Sequence, residues 1–192
     1  MPDSSHPDIR SRKADHIALC ETDQVSFQQK TTLFEEVQLI HDALPELHVD
    51  DLDLAVDFAG KTMQAPLIIA AMTGGVEEAG PINRALAELA EEFGIGFGFG
   101  SQRPLLQNGI KDGYQVRDLA PSTLILGNIG IVQARDSSTA ALQEMVETTG
   151  ADALCITSIQ PWRSSNPRAT PTFEEGLRPW IGSTKSWAFR LS

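Results

Sequence analysis

The chain has 192 residues, 41% apolar and 21% charged, enough for one sizeable domain with a real core. Its net charge of −11 leaves no basic surface to neutralise a polyphosphate backbone, which argues against a nucleic-acid partner, while a phosphorylated small molecule needs only a few local cations. Cys20 and Cys155 make no disulfide framework, the N-terminus is polar, and no apolar run approaches ~20 residues, so the expectation is a cytoplasmic protein without a membrane span.

In chain order, residues 1–30 read as a polar arm that carries an adjacent Arg12-Lys13 pair and His16. Thr32 to Asp42 is a short amphipathic stretch, and Leu52 to Phe58 alternates apolar and acidic residues like an edge strand or hairpin arm. The run LIIAAM reads as a strand buried on both faces. Pro81 to Phe93 places Ile82, Leu86, Leu89 and Phe93 on one helical stripe, with Pro in the first turn and Gly94 as the stop. IGFGFG is a second strand, whose alternating glycines predict close backbone approach. TLILGNIG is a third strand, Ser138 to Thr149 a helix ended by Gly150, and ALCI a fourth strand. The series predicts an α/β fold with parallel crossovers.

Each of the first three strands ends in a polar or Gly-rich cluster. These are Ala70-Ala71-Met72-Thr73-Gly74-Gly75, Gly100-Ser101-Gln102-Arg103 and Gly127-Asn128. Thr73 to Ser101 is 28 residues, Ser101 to Asn128 is 27, and Ile156 ends the fourth strand another 28 on. Polar clusters at successive strand ends favour a (β/α)8 TIM barrel, whose strands all deliver their C-terminal ends to one site, over a doubly wound sheet, whose chemistry concentrates at a switch point. Four strands are half of such a barrel. Thr73 with two glycines offers open N–H groups and access to a flat ligand, while Arg103 and Ser101 suit a phosphate. Taken singly, each cluster also has a plain reading as a tight turn, a solvated arginine or an αL turn residue.

The ordered set Arg12-Lys13-x-x-His16, Ala71-Met72-Thr73-Gly74-Gly75, Asn83-x-x-Leu86-Ala87, Gly100-Ser101-Gln102-Arg103 and Gly127-Asn128-Ile129-Gly130 resembles the type 2 isopentenyl-diphosphate Δ-isomerase family over roughly residues 8–156. That resemblance implies a flavin-dependent barrel that interconverts isopentenyl and dimethylallyl diphosphate with reduced FMN, Mg2+ and NADPH, and that assembles as a tetramer or octamer. It implies FMN contacts from Ala71, Met72, Thr73, Gly74, Ser101 and Asn128. It implies that Arg12, Lys13, Ser101, Gln102 and Arg103 hold the substrate diphosphate. The flavin carries the proton chemistry in that family, which fits the lack of an obvious acid–base pair here. No metal ligand and no catalytic side chain is assigned from the residues present.

The pattern breaks after the fourth strand. Residues 1–156 hold 24 acidic and 10 basic residues, while residues 157–192 hold 2 and 5, with all three tryptophans and four of the eleven prolines. The resembled family continues with a His-x-Asn cluster and then Gln-Pro-Glu-Gly-Asp, supplying a substrate Gln and a Mg2+-binding Glu; Thr157-Ser158-Ile159-Gln160-Pro161-Trp162-Arg163 matches neither. Synonymous codons from Ile156 to Phe173 exist that, read one base out of step, give His-Leu-Asn-Pro-Thr-Met-Glu-Val-Val-Gln-Pro-Glu-Gly-Asp-Ala-Asp-Phe. Loss of one base at the end of the Ile156 codon accounts for this. Three segments are therefore expected: the arm at 1–30, a flavin-binding half barrel at 31–156, and an out-of-frame tail at 157–192. With open strand edges and no Mg2+ ligand, the chain as written is expected to be poorly soluble and inactive as an isomerase. Two other readings stay open: an FMN barrel oxidoreductase of the 2-hydroxy-acid oxidase type, and a non-enzymatic remnant.

Overall fold

The computed structural model describes residues 9–22, 25–44 and 46–157, with the backbone alone at 9–12. The expected out-of-frame tail lies outside the described residues apart from Thr157. The chain divides into two compact units, Met1–Leu54 and Ala55–Ser192.

The first unit holds helix α1 (Ile9–Cys20), so part of the polar arm is helical. The Thr32–Asp42 stretch forms only a 3-10 turn, Phe34–Glu36, and its Phe34, Val37, Leu39 and Ile40 are exposed. A second 3-10 turn, Val49–Asp51, is closed reciprocally at its start. His48 Nδ1 accepts from the Asp50 N–H at 3.3 Å, and the Asp51 carboxylate accepts from the His48 N–H at 3.3 Å.

The second unit opens with a hairpin, β1 (Val56–Phe58) against β2 (Lys61–Met63), as the alternating pattern predicts. A four-stranded parallel sheet follows, made of β3 (Ile68–Ile69), β4 (Gly96–Gly98), β5 (Ile125–Gly130) and β6 (Ala153–Thr157). Neighbours follow chain order without reversal, the order of a (β/α) barrel and not of a doubly wound sheet at its switch point. The register runs Ile69 with Phe97, Phe97 with Ile125, and Leu126 to Gly130 with Ala153 to Thr157. The described residues form this open sheet and no closed barrel.

Helices α2 (Ala79–Phe93), α3 (Arg103–Asn108), α4 (Ile131–Arg135) and α5 (Thr139–Thr149) connect the strands. Gly94 and Gly150 end α2 and α5 at positive φ where the sequence pattern places them, and Ser138, read as the first residue of α5, instead caps it by accepting from the Ala141 N–H. One face of the sheet packs Phe97, Phe99, Ile125, Ile129 and Ile156 against Ala87, Ala90, Leu142 and Met145 of the helices. On the other face Leu124 and Leu126 pack against Met63 and Val56 of the hairpin, with Ala153 and Cys155 beside them. The hairpin thus lies under the inner face, and the helices cover the outer one.

Two expectations are corrected. The stripe Ile82, Leu89 and Phe93 of α2 is exposed, and the helix instead buries Ala79, Asn83, Ala87 and Ala90. The two phenylalanines of the β4 region fill the helix–sheet layer, so α2 approaches with its small side chains. The LIIAAM run is also not a strand buried on both faces. Only two residues are in the ladder, at the sheet edge, and Leu67, Ile68 and Met72 are exposed.

Candidate functional site

The C-terminal ends of β3, β4 and β5 are tied to one another by backbone hydrogen bonds. The Thr73 carbonyl accepts from the Gly100 N–H at 2.9 Å, and the Gln102 N–H donates to the Asn128 carbonyl at 2.7 Å. The predicted residues of the three clusters therefore meet at one end of the sheet. Arg12 and Lys13 belong to the first unit, on α1.

Two buried side chains that the spacing argument left without a role hold this end in shape. Asn83 of α2, 2% exposed, donates through Nδ2 to the Thr73 carbonyl at 3.1 Å and the Gly113 carbonyl at 2.6 Å. Tyr114, fully buried, donates its hydroxyl to the Ser101 carbonyl at 2.6 Å. Burial pushes the Tyr114 phenol up from its ordinary pKa, so it stays a neutral donor. The same ring explains Gly74. A Cβ there would lie 2.2 Å from Tyr114 Cε1, and one at Gly75 (φ +81°) would lie 2.6 Å from Pro104 Cγ. The Gly75 N–H donates to the Asp112 carbonyl at 2.8 Å, so it is not the open donor that the sequence pattern suggested. Both glycines are buried.

Glycines on β4 fulfil their prediction in a specific way. A side chain at Gly96 would meet Ile68, one at Gly98 would meet the Ala71 N at 3.3 Å, and one at Gly100 would meet the Thr73 backbone at 2.6 Å. The close approach is that of β3 and its loop. It leaves β4 without side chains on the inner face. Strand alternation puts Asn128 on that same face, with Leu124 and Leu126. Asn128 is 7% exposed, and its side-chain amide makes no hydrogen bond among the described residues. A buried amide without a partner costs about 1–3 kcal/mol, so a native fold keeps one for a reason. The half-buried Thr73 hydroxyl also has no hydrogen bond among the described residues.

Gln102 behaves differently from Arg103 beside it. Its side chain is fully buried, accepting from the Asn128 N–H at 3.0 Å and donating to Thr149 Oγ1 at 3.2 Å. It is thus turned into the fold, away from a diphosphate. Half-buried Arg103 donates through Nε to Gln107 Oε1 at 2.8 Å, and its terminal nitrogens make no hydrogen bond among the described residues. Half-buried Ser101 lies next to both.

The sequence model of the FMN-dependent dehydrogenase family matches residues 7–185. The chain belongs to the FMN-dependent dehydrogenase family. Among curated relatives, the isopentenyl-diphosphate delta-isomerase of Methanosarcina acetivorans is 46% identical over 147 residues, 76% of this chain and 40% of that protein. The isopentenyl-diphosphate delta-isomerases of Methanococcoides burtonii and Mycolicibacterium gilvum are 42% and 40% identical, over 76% and 77% of this chain and 41% and 44% of theirs. The resemblance carried by the motifs is thereby shown, and the chain spans about two-fifths of the length of these relatives. The FMN of the family fits the residues present at the strand ends: the buried Asn128 amide, without a hydrogen bond among the described residues, and the half-buried Thr73 hydroxyl suit a hydrogen-bonding ring system, while the β4 glycines admit the β3 loop that carries Thr73. No group of three or more His, Cys, Asp or Glu side chains suited to a metal occurs among the described residues, and none of their helices is long and apolar enough to cross a membrane.

Proposed function

We propose that this chain carries the first, flavin-binding half of an isopentenyl-diphosphate isomerase barrel. The observation that carries the reading is the buried Asn128 amide, without a hydrogen bond among the described residues, at the sheet end where Thr73 and Ser101 also lie. The names of the relatives supply the substrate class. In this reading Ala71, Met72, Thr73, Gly74, Ser101 and Asn128 surround FMN. Ser101 and Arg103 neutralise the diphosphate, and Arg12 and Lys13 are assigned to it by the resemblance alone. Reduced FMN, when bound, would supply the proton transfer between the two allylic positions. The chain's own groups orient and hold charge: Asn128 fixes the ring, Arg103 anchors the diphosphate, and the neutral Tyr114 keeps the Ser101 loop in place. Mg2+ and NADPH enter through the resemblance alone, with the metal ligand expected beyond β6. A cytoplasmic homo-oligomer is part of the same reading.

Residues 157–192 are proposed to be an out-of-frame tail that leaves this chain without isomerase activity. Thr157 still pairs with Gly130 in β6, as a backbone ladder accepts any residue. The family match continues to residue 185, into that segment. Sequencing the gene across the Ile156 codon decides the matter, and an unambiguous in-frame read removes the frameshift.

The function is tested with the base-restored gene product, assayed for interconversion of the two diphosphates with reduced FMN, Mg2+ and NADPH. Isomerisation is expected there and none from the 192-residue chain. The family's own description favours a second reading, an FMN-dependent dehydrogenase of another substrate. Flavin reduction by a 2-hydroxy acid, with no isomerisation, would establish it instead.

A further inference from the structure

Gln102 has an unusual distribution of hydrogen bonds for a residue at a ligand-facing turn. Its N–H donates to the Asn128 carbonyl at 2.7 Å, and its side-chain Oε1 accepts from the Asn128 N–H at 3.0 Å. Its own carbonyl accepts from the Leu106 N–H at 3.0 Å, opening α3, and its Nε2 donates to Thr149 Oγ1 at 3.2 Å. Thr149 Oγ1 in turn has the Met145 carbonyl at 3.1 Å and the Val146 carbonyl at 3.2 Å as acceptors for its own hydroxyl. Only one amide hydrogen of Gln102 is left for anything else.

The β4 ladder stops before Asn128. Regular pairing ends with the Phe99 N–H on the Leu126 carbonyl, and the two polar backbone groups of Asn128 on that side face a strand that has already turned away. Gln102 replaces the missing strand, using its backbone for one group and its side chain for the other. It does so from the helix side. A Cβ on Gly127 would lie 2.6 Å from Gln102 Oε1, and Gly127 and Asn128 present opposite faces of β5. Glycine at 127 is therefore the space through which the Gln102 side chain passes.

We propose that Gln102 is a positioning residue: it clamps both backbone groups of Asn128 from behind the sheet, so that the Asn128 amide meets the flavin from the front. This rests on the FMN reading above. It also separates Gln102 from its neighbours Ser101 and Arg103, which remain the diphosphate-side groups of the turn.

The test is FMN titration of the 192-residue chain by flavin fluorescence, with thermal unfolding of the apoprotein in parallel. Gln102→Leu is expected to weaken FMN about tenfold, the cost of an unpaired buried N–H expressed as affinity. Asn128→Ala is expected to do the same. In the double variant Gln102→Leu adds nothing to the loss, while its effect on the melting temperature persists, because a clamp acts on FMN only through Asn128. Thr149→Val, a milder change on α5 that removes the anchor and leaves Gln102 in place, is expected to weaken FMN about threefold, again only when Asn128 is present. Equal losses in both backgrounds would show a general structural role and overturn the clamp. FMN affinity untouched by Gln102→Leu and Thr149→Val overturns it as well, with the flavin site intact. No FMN binding by the wild-type chain instead refutes the flavin reading itself, and the clamp with it.

Discussion

The two ends of the parallel sheet are built on opposite principles. At the N-terminal ends of β5 and β6 every charged group is answered. Arg117 donates to the carbonyls of Gly150, Ala120 and Thr123 and to the Asp152 carboxylate at 2.7 Å. Asp152 also accepts from the Ile125 N–H at 2.8 Å and lies 3.7 Å from Lys61 Nζ, tying the hairpin to the sheet. Glu91 accepts from the backbone and hydroxyls of Ser122 and Thr123. At the C-terminal ends Asn128 is buried with its amide unpartnered, and the Thr73 hydroxyl and the Arg103 terminal nitrogens make no hydrogen bonds among the described residues. Saturated polar groups serve stability, and in the proposed flavin reading the unsaturated ones are held for the ligand, the division of labour that barrel folds show between their two faces.

The largest expected effect breaks the saturated end. Arg117→Ala removes the donor to the carbonyls of Gly150, Ala120, Pro121 and Thr123 and leaves Asp152, only 20% exposed, with the Ile125 N–H and with Lys61 as its one remaining cation among the described residues. A loss of about 3 kcal/mol is expected, seen as a fall in melting temperature of roughly 10 °C. FMN affinity of the fraction that remains folded is expected to be unchanged. A comparable fall in FMN affinity at full folding would mean that the two ends are not separable.

The contrast was only half legible in the sequence. Strand order, the hairpin and both glycine stops could be read because each is encoded within a few residues by period or by backbone chemistry. The end of the sheet that carries the candidate site could be read from the 27- and 28-residue spacing. Arg117 could not, because its partners Gly150 and Asp152 lie 33 and 35 residues away and nothing local marks them. Tyr114 was hidden for the same reason, and Asn83 was visible as part of the resembling motif but not in its role, since one of its partners, Gly113, lies 30 residues away. Helices α3 and α4, six and five residues long, are too short to show a helical period. The α2 stripe misled because amphipathic counting weighs large side chains, while the layer over Phe97 and Phe99 had room for small ones. Gln102 was placed among the ligand groups by the resemblance. Which way a turn residue faces is set by the strand it must complete, and that strand is 26 residues further on.

The next effect has the opposite sign and sharpens the unsaturated end. Asn128→Leu replaces an unpartnered buried amide with an apolar group of similar size beside Leu124 and Leu126. Stability is expected to rise by about 1 kcal/mol, and the melting temperature by roughly 3 °C, while FMN affinity falls at least about tenfold. Lower stability in Asn128→Leu would show that the amide is already satisfied within the fold, and the reserve it represents would be gone.

The smallest effect concerns pH. Burial works to raise the Glu91 pKa, but the hydrogen bonds from Ser122 and Thr123 outweigh it and bring the carboxyl down to about 2. The unfolded chain has an ordinary glutamate near 4.5, so between these two values it binds the proton that the folded form refuses. Glu91 therefore contributes stability that is present above pH 4.5 and is lost as pH falls through about 2. Because the carboxylate is only partly buried, solvent screening leaves a contribution on the order of 0.5 kcal/mol. Glu91→Gln is expected to flatten the decline in melting temperature between pH 4.5 and 2 and to leave FMN binding at neutral pH alone. An unchanged acid limb in that variant would mean that the four donors around Glu91 hold the turn equally well on a neutral amide, and that the saturated end owes its stability to geometry and not to charge.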